Sequence, residues 1–221
     1  MRIACITYRT WASNIYTNLE NVYQNDHTFL IWNCKEEFDS KALIDFNPDL
    51  ILWYGWSWMV DQLFIDNYES IMLHPSPLPK YRGGSPIQNQ IINGEKTSAI
   101  TLFRMTNELD TGDIYKQLKI SLHGSLQEIF TRISDLGFSA TCDIFDKNYQ
   151  LTPQDESKAT FYKRKKPKDS EITIEEINTK SADYLYNKIR MLNAPYPNAY
   201  IKTADNRKLF IIKSKIEDKT L

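Results

Sequence analysis

Cysteine is scarce: Cys5, Cys34 and Cys142 are odd in number, scattered and without CxxC spacing. They exclude a disulfide framework, and with no secretory signal in front of them they read as reduced thiols of a cytoplasmic protein. No apolar run approaches the roughly 20 residues that a membrane helix needs, so a soluble chain with no membrane partner is expected. Positive charge is not in excess either: 27 Lys and Arg stand against 28 Asp and Glu, a formal charge of -1. Holding a long nucleic acid by its phosphates needs a basic face, so no nucleic-acid partner is expected. Glycines in GxGxxG order are missing from the loop YRTWASN, Tyr8 to Asn14, which argues against a dinucleotide site. Arg9 and Thr10 of that loop can still hold a diphosphate by charge-assisted bonds.

What is present begins with a core, since 42% hydrophobic residues in 221 suffice for one sizeable domain and a small appendage. Apolar runs at Arg2 to Tyr8, Phe29 to Asn33 and Asp49 to Tyr54 alternate with helical patterns over Trp11 to Tyr23 and Lys41 to Phe46. That alternation predicts an α/β fold with a doubly wound, mostly parallel sheet, in which ligands sit beyond the carboxyl ends of the strands. Further strands are expected at Ser98 to Met105 and Tyr115 to Leu122, with helices over Pro86 to Asn93 and Leu126 to Phe145. Residues 1–150 are read as the catalytic core and 151–172 as a polar linker or extended arm. Residues 173–221 are read as a small subdomain of one amphipathic helix, Ser181 to Leu192, and a β-hairpin. The cationic run Tyr162 to Lys168, YKRKKPK, is read as part of a solvated linker in preference to a phosphate or membrane site.

Chemistry concentrates in LHPSPLPKYRGGSPIQNQIINGE, Leu73 to Glu95, and in LDTGDI, Leu109 to Ile114. Pro75, Pro77 and Pro79 fix φ and remove backbone donors, so His74 leaves its strand on a segment that cannot continue as sheet or helix. A histidine at a strand's end can move a proton near neutral pH. Asp110, or less favourably Asp113, is the carboxylate expected beside it, the opposite charge to a protonated imidazole. No metal is required by this chemistry.

The ordered set His74, Ser76, Leu78, Pro79, Tyr81, Arg82, Gly83, Pro86, Gly94, Glu95, Asp110, Thr111 and Gly112 resembles the formyltransferases that use 10-formyltetrahydrofolate. Their run Asn-x-His-x-Ser-Leu-Leu-Pro-x-(Tyr/Trp)-Arg-Gly is followed by a strand and an Asp-x-Gly loop. The resemblance implies a Rossmann-like formyltransferase core and an enzyme that moves a formyl group from 10-formyltetrahydrofolate to an amine. It implies His74 and Asp110 as the catalytic pair. By the same resemblance, the aromatic loop with Trp58, Met59 and Val60, together with Arg82 and Thr106, Asn107, Glu108 and Leu109, holds the folate. Arg9, Thr10, Lys80 and Tyr81 are expected at the acceptor. One residue departs from the pattern: the family's asparagine, an oxyanion donor, falls on Met72, and a thioether donates nothing. Gln88 and Asn89 on the next helix are the substitutes considered.

Within the family, the near-neutral charge and the absence of a C-terminal barrel disfavour a tRNA acceptor, and the C-terminal helix and hairpin disfavour glycinamide ribonucleotide. A nucleotide-linked amino sugar remains. The resemblance is greatest to short enzymes of pseudaminic acid biosynthesis, which would formylate a UDP-4-amino-4,6-dideoxy-N-acetyl-altrosamine type of sugar. A dTDP-4-amino-4,6-dideoxyhexose, a methionyl-tRNA formyltransferase-like activity and a non-catalytic folate or sugar-nucleotide binder are the alternatives. A homodimer through the apolar C-terminal elements is also expected.

Overall fold

The computed structural model describes residues 1–217. Its main sheet has six strands, β1 (Arg2–Ile6), β2 (Thr28–Trp32), β3 (Leu50–Leu52), β4 (Ser70–His74), β6 (Thr97–Arg104) and β7 (Ile114–Ser121), in the order β2-β1-β3-β4-β6-β7. The first four run parallel, and β6 and β7 are antiparallel to their neighbours. Strands β1 and β3 are buried almost throughout, which is why they read as continuous apolar runs rather than alternating ones. Helices α1 (Thr10–Tyr23) and α5 (Leu126–Phe145) pack together on one face, while α2 (Ser40–Phe46) and α3 (Gln62–Asn67) accompany a second apolar cluster around Trp32, Trp53 and Phe64. The expected mostly parallel α/β architecture is therefore the observed one.

Two local devices set the sheet's carboxyl edge. Tyr16, fully buried on α1, places its hydroxyl against the carbonyls of Ile6 and Leu52 and accepts the Tyr54 amide at 2.7 Å. A single side chain thus ties the ends of β1 and β3 and fixes the start of the loops that follow both. Helix α5 opens with a reciprocal capping box between Ser125 and Glu128, a start signal for a 20-residue helix. Gly137 in its middle lets the helix lie close, because a Cβ there would stand 2.6 Å from Ile15 and 2.8 Å from Leu73. Leu73 is the residue before His74, so this close approach locates the end of β4.

The segment expected as a linker crosses the motif. Residues Phe161–Tyr162 form β8, which pairs in parallel with β5 (Arg82–Gly83). Glycine is required where they meet: a Cβ on Gly83 would lie 2.5 Å from the Tyr162 carbonyl, and one on Gly84 2.4 Å from Arg164 Cα. Beyond this arm come α6 (Ile174–Thr179), α7 (Ala182–Met191) and the hairpin β9 (Ala199–Lys202) and β10 (Lys208–Ile211). Ile172, Ile189, Met191, Leu192 and Ala199 join the main apolar cluster, and α7 packs on α4 (Pro86–Ile92). Burial of each of the four larger side chains contributes about 1.5–3 kcal/mol, so this tail is fastened to the core that carries the motif. No helix among the described residues is long and apolar enough to cross a membrane.

Candidate functional site

The loops at the carboxyl ends of β1, β3 and β4 converge on a cavity of about 750 Å³. His74 and Asp110 both line it. His74 is buried, and its Nε2–H donates to the Tyr81 carbonyl at 2.8 Å. A carbonyl accepts only, so this bond fixes the resting proton on Nε2 and leaves Nδ1 as the nitrogen that gains and loses one. Asp110 Oδ2 stands 3.7 Å from Nδ1. The same oxygen accepts the Gly83 amide at 2.8 Å, and Asp110 itself sits at φ 57, a left-handed conformation that aspartate tolerates. The two halves of the motif are thus tied directly to each other.

The loop carrying Asp110 is shaped by close packing. A Cβ on Gly112 would lie 1.7 Å from the Arg104 carbonyl, so only glycine passes there. Thr106 and Thr111 hydroxyls meet at 2.9 Å across the loop. Thr106, Asn107, Glu108 and Leu109 form one rim of the cavity, and Trp58, Met59 and Val60 another. Trp58 stacks edgewise on Tyr8 with ring centres 4.6 Å apart, and Tyr8 donates to Ser57 at 2.6 Å, which holds the aromatic loop over the opening. Arg9 also reaches the cavity, with its guanidinium 4.4 Å from the Tyr8 ring and 5.3 Å from Tyr196.

Four expected residues do not reach it. Arg82 is fully buried, with its guanidinium donating to Gln154 at 2.7 Å and to Glu156 at 2.6 and 2.7 Å. Its donors are turned to the arm and away from the cavity. Gln154 in turn donates to the carbonyls of Asp110 at 2.9 Å and Gly112 at 2.8 Å, so Arg82 secures the Asp110 loop at second hand. Tyr81 turns at φ 61 away from the cavity, stacks on Tyr162 and donates to Glu95 at 2.9 Å; burial pushes its hydroxyl up to about 12. Lys80 is exposed beside it, and Thr10 is exposed at the start of α1. Neither lies on the cavity wall.

Arg82→Ala is accordingly expected to act through stability. Loss of these charge-assisted bonds should cost about 2 kcal/mol, seen as a lower melting temperature, with the constants for both substrates nearly unchanged in the folded fraction. The Arg82 hydrogen bond holds the Glu156 carboxyl below its ordinary value. A depressed carboxylate stabilises above its unfolded pKa and loses that contribution as pH falls through the folded one. The wild-type advantage over Arg82→Ala should therefore shrink on acidification through the carboxylate range.

Further lining residues come from outside the two motifs. Arg164, Lys165 and Lys166 of the arm line the cavity, held there by the Lys165 amide donating to Ser85 at 3.0 Å. The cationic run is therefore part of the site's wall rather than a free linker. Its signal in the sequence is Gly83 and Gly84, which make room for a crossing chain. Tyr196 of the segment before β9 and Phe130 of α5 complete the apolar side.

Residues 20–142 match the formyl transferase model, and residues 167–221 match the C-terminal domain of methionyl-tRNA formyltransferase. The chain belongs to the formyl transferase family. A methionyl-tRNA formyltransferase of Lactobacillus acidophilus is 35% identical over 171 residues, 74% of this chain and 53% of that protein. The chain spans about half the length of the curated relatives it matches. Among solved structures, a methionyl-tRNA formyltransferase from Clostridium thermocellum superposes with a TM-score of 0.90 at 28% identity, covering 100% of this chain and 95% of that one. A sugar N-formyltransferase from a Shewanella species shares the fold, with a TM-score of 0.75, 19% identity and 99% of each chain covered. The expectation of a nucleotide-sugar enzyme that excludes nucleic acid is thus not what the sequence relatives favour. Arg9, Arg164, Lys165 and Lys166 collect around this one cavity in a chain whose formal net charge is -1.

Proposed function

We propose that this chain moves a formyl group from 10-formyltetrahydrofolate to a primary amine on a phosphate-bearing acceptor. The observation that carries the reading is the pairing of His74 with Asp110 at 3.7 Å on the wall of a cavity that also meets cationic side chains. The aromatic loop at Trp56 and Trp58 offers flat apolar surface for a pteridine, and the backbone of residues 106–110 offers polar groups for its edge. His74 Nδ1 takes a proton from the attacking amine and returns one to the departing folate nitrogen, while Asp110 faces the imidazolium formed in between. The Tyr81 carbonyl, accepting from Nε2, holds the ring and leaves Nδ1 free.

Of the acceptor classes, an aminoacyl-tRNA of the methionyl type has the better support, from the C-terminal family match, the sequence relatives and the near-complete overlap with the Clostridium chain. A nucleotide-linked 4-amino-4,6-dideoxy sugar is the second reading, favoured by a sugar N-formyltransferase of the same length and fold. Both carry phosphate, and Arg164, Lys165 and Lys166 are placed to meet it. Incubation with 10-formyltetrahydrofolate and methionyl-tRNA, or UDP- and dTDP-linked amino sugars, followed by mass spectrometry, separates them. Formyl-methionine on tRNA bears out the first reading. Formylated sugar alone replaces it with the second, and no formylated product from any acceptor overturns both.

Charge reversal of the arm gives an independent check. Lys165→Glu with Lys166→Glu should raise the acceptor's KM about tenfold while leaving the donor's KM within about twofold, an effect that fades with added salt.

A further inference from the structure

Helix α4 presents three consecutive amide side chains, all buried, and two of them are spent. Asn89 donates to the Gly84 carbonyl at 2.9 Å, and Gln90 donates to the carbonyls of Pro75 at 2.9 Å and Pro86 at 3.0 Å while accepting from Ser98 at 2.5 Å. Gln88 is different. It is 2% exposed, it lines the cavity with His74 and Met72, and its Nε2 finds no acceptor among the described residues. Buried donors are nearly always paired, so an amide left unpaired on a site wall calls for a partner that arrives with the reaction. On the strand that carries His74, Met72 lines the same cavity with a sulfur that has no N–H to offer.

We propose that Gln88 Nε2 donates to the formyl oxygen as it becomes an oxyanion, a catalytic role that rests on the formyl-transfer reading above. In that step the acceptor nitrogen's lone pair forms the new C–N bond, and the carbonyl π pair moves onto oxygen. His74 Nδ1 takes the proton released by the amine. The bond from carbon to the folate nitrogen then breaks with its pair going to that nitrogen, which receives the proton, and the C=O re-forms in the N-formyl product. Gln88 meets the charge only while it exists, so its effect belongs in kcat rather than in binding. Asn89 has no such role, because its amide is taken up by the carbonyls of Gly84 in the motif and Lys163 in the arm.

The test compares wild type with Gln88→Met, close in shape and without a donor, and Gln88→Glu, which keeps the outline but offers no N–H. Both should lose about 100-fold in kcat. The KM for donor and acceptor, and the dissociation constant of the unreactive 5-formyltetrahydrofolate read by tryptophan fluorescence, should stay within about twofold, as expected of a group that acts only in the transition state. Adding Met72→Asn to Gln88→Met should recover at least about tenfold by supplying a donor from β4, whereas Met72→Asn alone should gain only a few-fold, as one donor already serves the oxyanion. Turnover within about threefold of wild type in a folded Gln88→Met or Gln88→Glu protein overturns the assignment while formyl transfer stands, since an oxyanion donor's loss costs far more than that. A wild-type protein that passes the formyl group to neither amine nor water removes the underlying reading, and the Gln88 role with it.

Discussion

His74→Ala is expected to lower turnover by about 1000-fold, within the range for a positioned acid and base, while the protein still folds. The ring is held by one bond, from Nε2 to the Tyr81 carbonyl, so its removal leaves one buried acceptor unpaired and costs about 1–2 kcal/mol. That loss is visible in a melting curve and is too small to explain the rate. Asp110→Asn should lower turnover about 100-fold by removing the charge that faces Nδ1, yet keep the oxygen that accepts the Gly83 amide. Asp110→Ala loses both and should also melt earlier. The contrast between Asn and Ala, read as kcat against melting temperature, separates the electrostatic part of Asp110 from its structural part. Near-normal turnover in His74→Ala removes proton transfer at this ring from the mechanism.

The second large effect is expected at Gly112. The nearest atom to an added Cβ is the Arg104 carbonyl oxygen at 1.7 Å, a backbone group on β6 that cannot swing aside. Gly112→Ala must therefore displace either the sheet edge or the Asp110 loop, at a cost on the order of 4 kcal/mol. Because Gln154 bridges the carbonyls of Asp110 and Gly112, the displacement carries Asp110 with it. Turnover should fall in the folded fraction as well, measured at a temperature well below the lowered midpoint. An alanine variant with unchanged stability contradicts the close approach.

Much of this is legible along the chain, and the parts that are not have a common cause. Helix α5 matches its apolar stripe residue for residue, since Leu126, Ile129, Phe130 and Ile133 repeat at the helical period and Ser125 with Glu128 marks the start. Strand β3 is shorter than the apolar run Asp49 to Tyr54: the Trp53 amide still donates to the Ile71 carbonyl of β4, but the Tyr54 amide turns to the Tyr16 hydroxyl and the ladder stops. His74 and Asp110 stand out as a pair because Pro and Gly punctuate both segments. Arg82 differs from its expected place for a physical reason: a guanidinium on a glycine-rich turn looks the same whether it serves a ligand or a carboxylate 74 residues away. The arm hides its role likewise, as pairing between Phe161 and Arg82 has no local signature beyond the two glycines it needs. Gln88 and Asn89 are indistinguishable in sequence. Only their surroundings show that one amide is occupied and the other is not.

Net charge says little about an acceptor site because it is a sum over the whole chain. A value of -1 describes the whole chain, whereas binding depends on which cations share a surface. Arg9 comes from the start of α1 and Arg164, Lys165 and Lys166 from the arm, so their convergence exists only in three dimensions.

The most direct test of formyl transfer at this cavity is a single-turnover reaction with 10-formyltetrahydrofolate carrying 13C in the formyl group, followed by NMR in the presence of the accepted amine. Wild type should convert the donor resonance into that of an N-formyl amide at the acceptor, and His74→Ala should leave the donor resonance in place over the same interval. Label reaching the acceptor equally fast in both proteins would contradict a site built on His74.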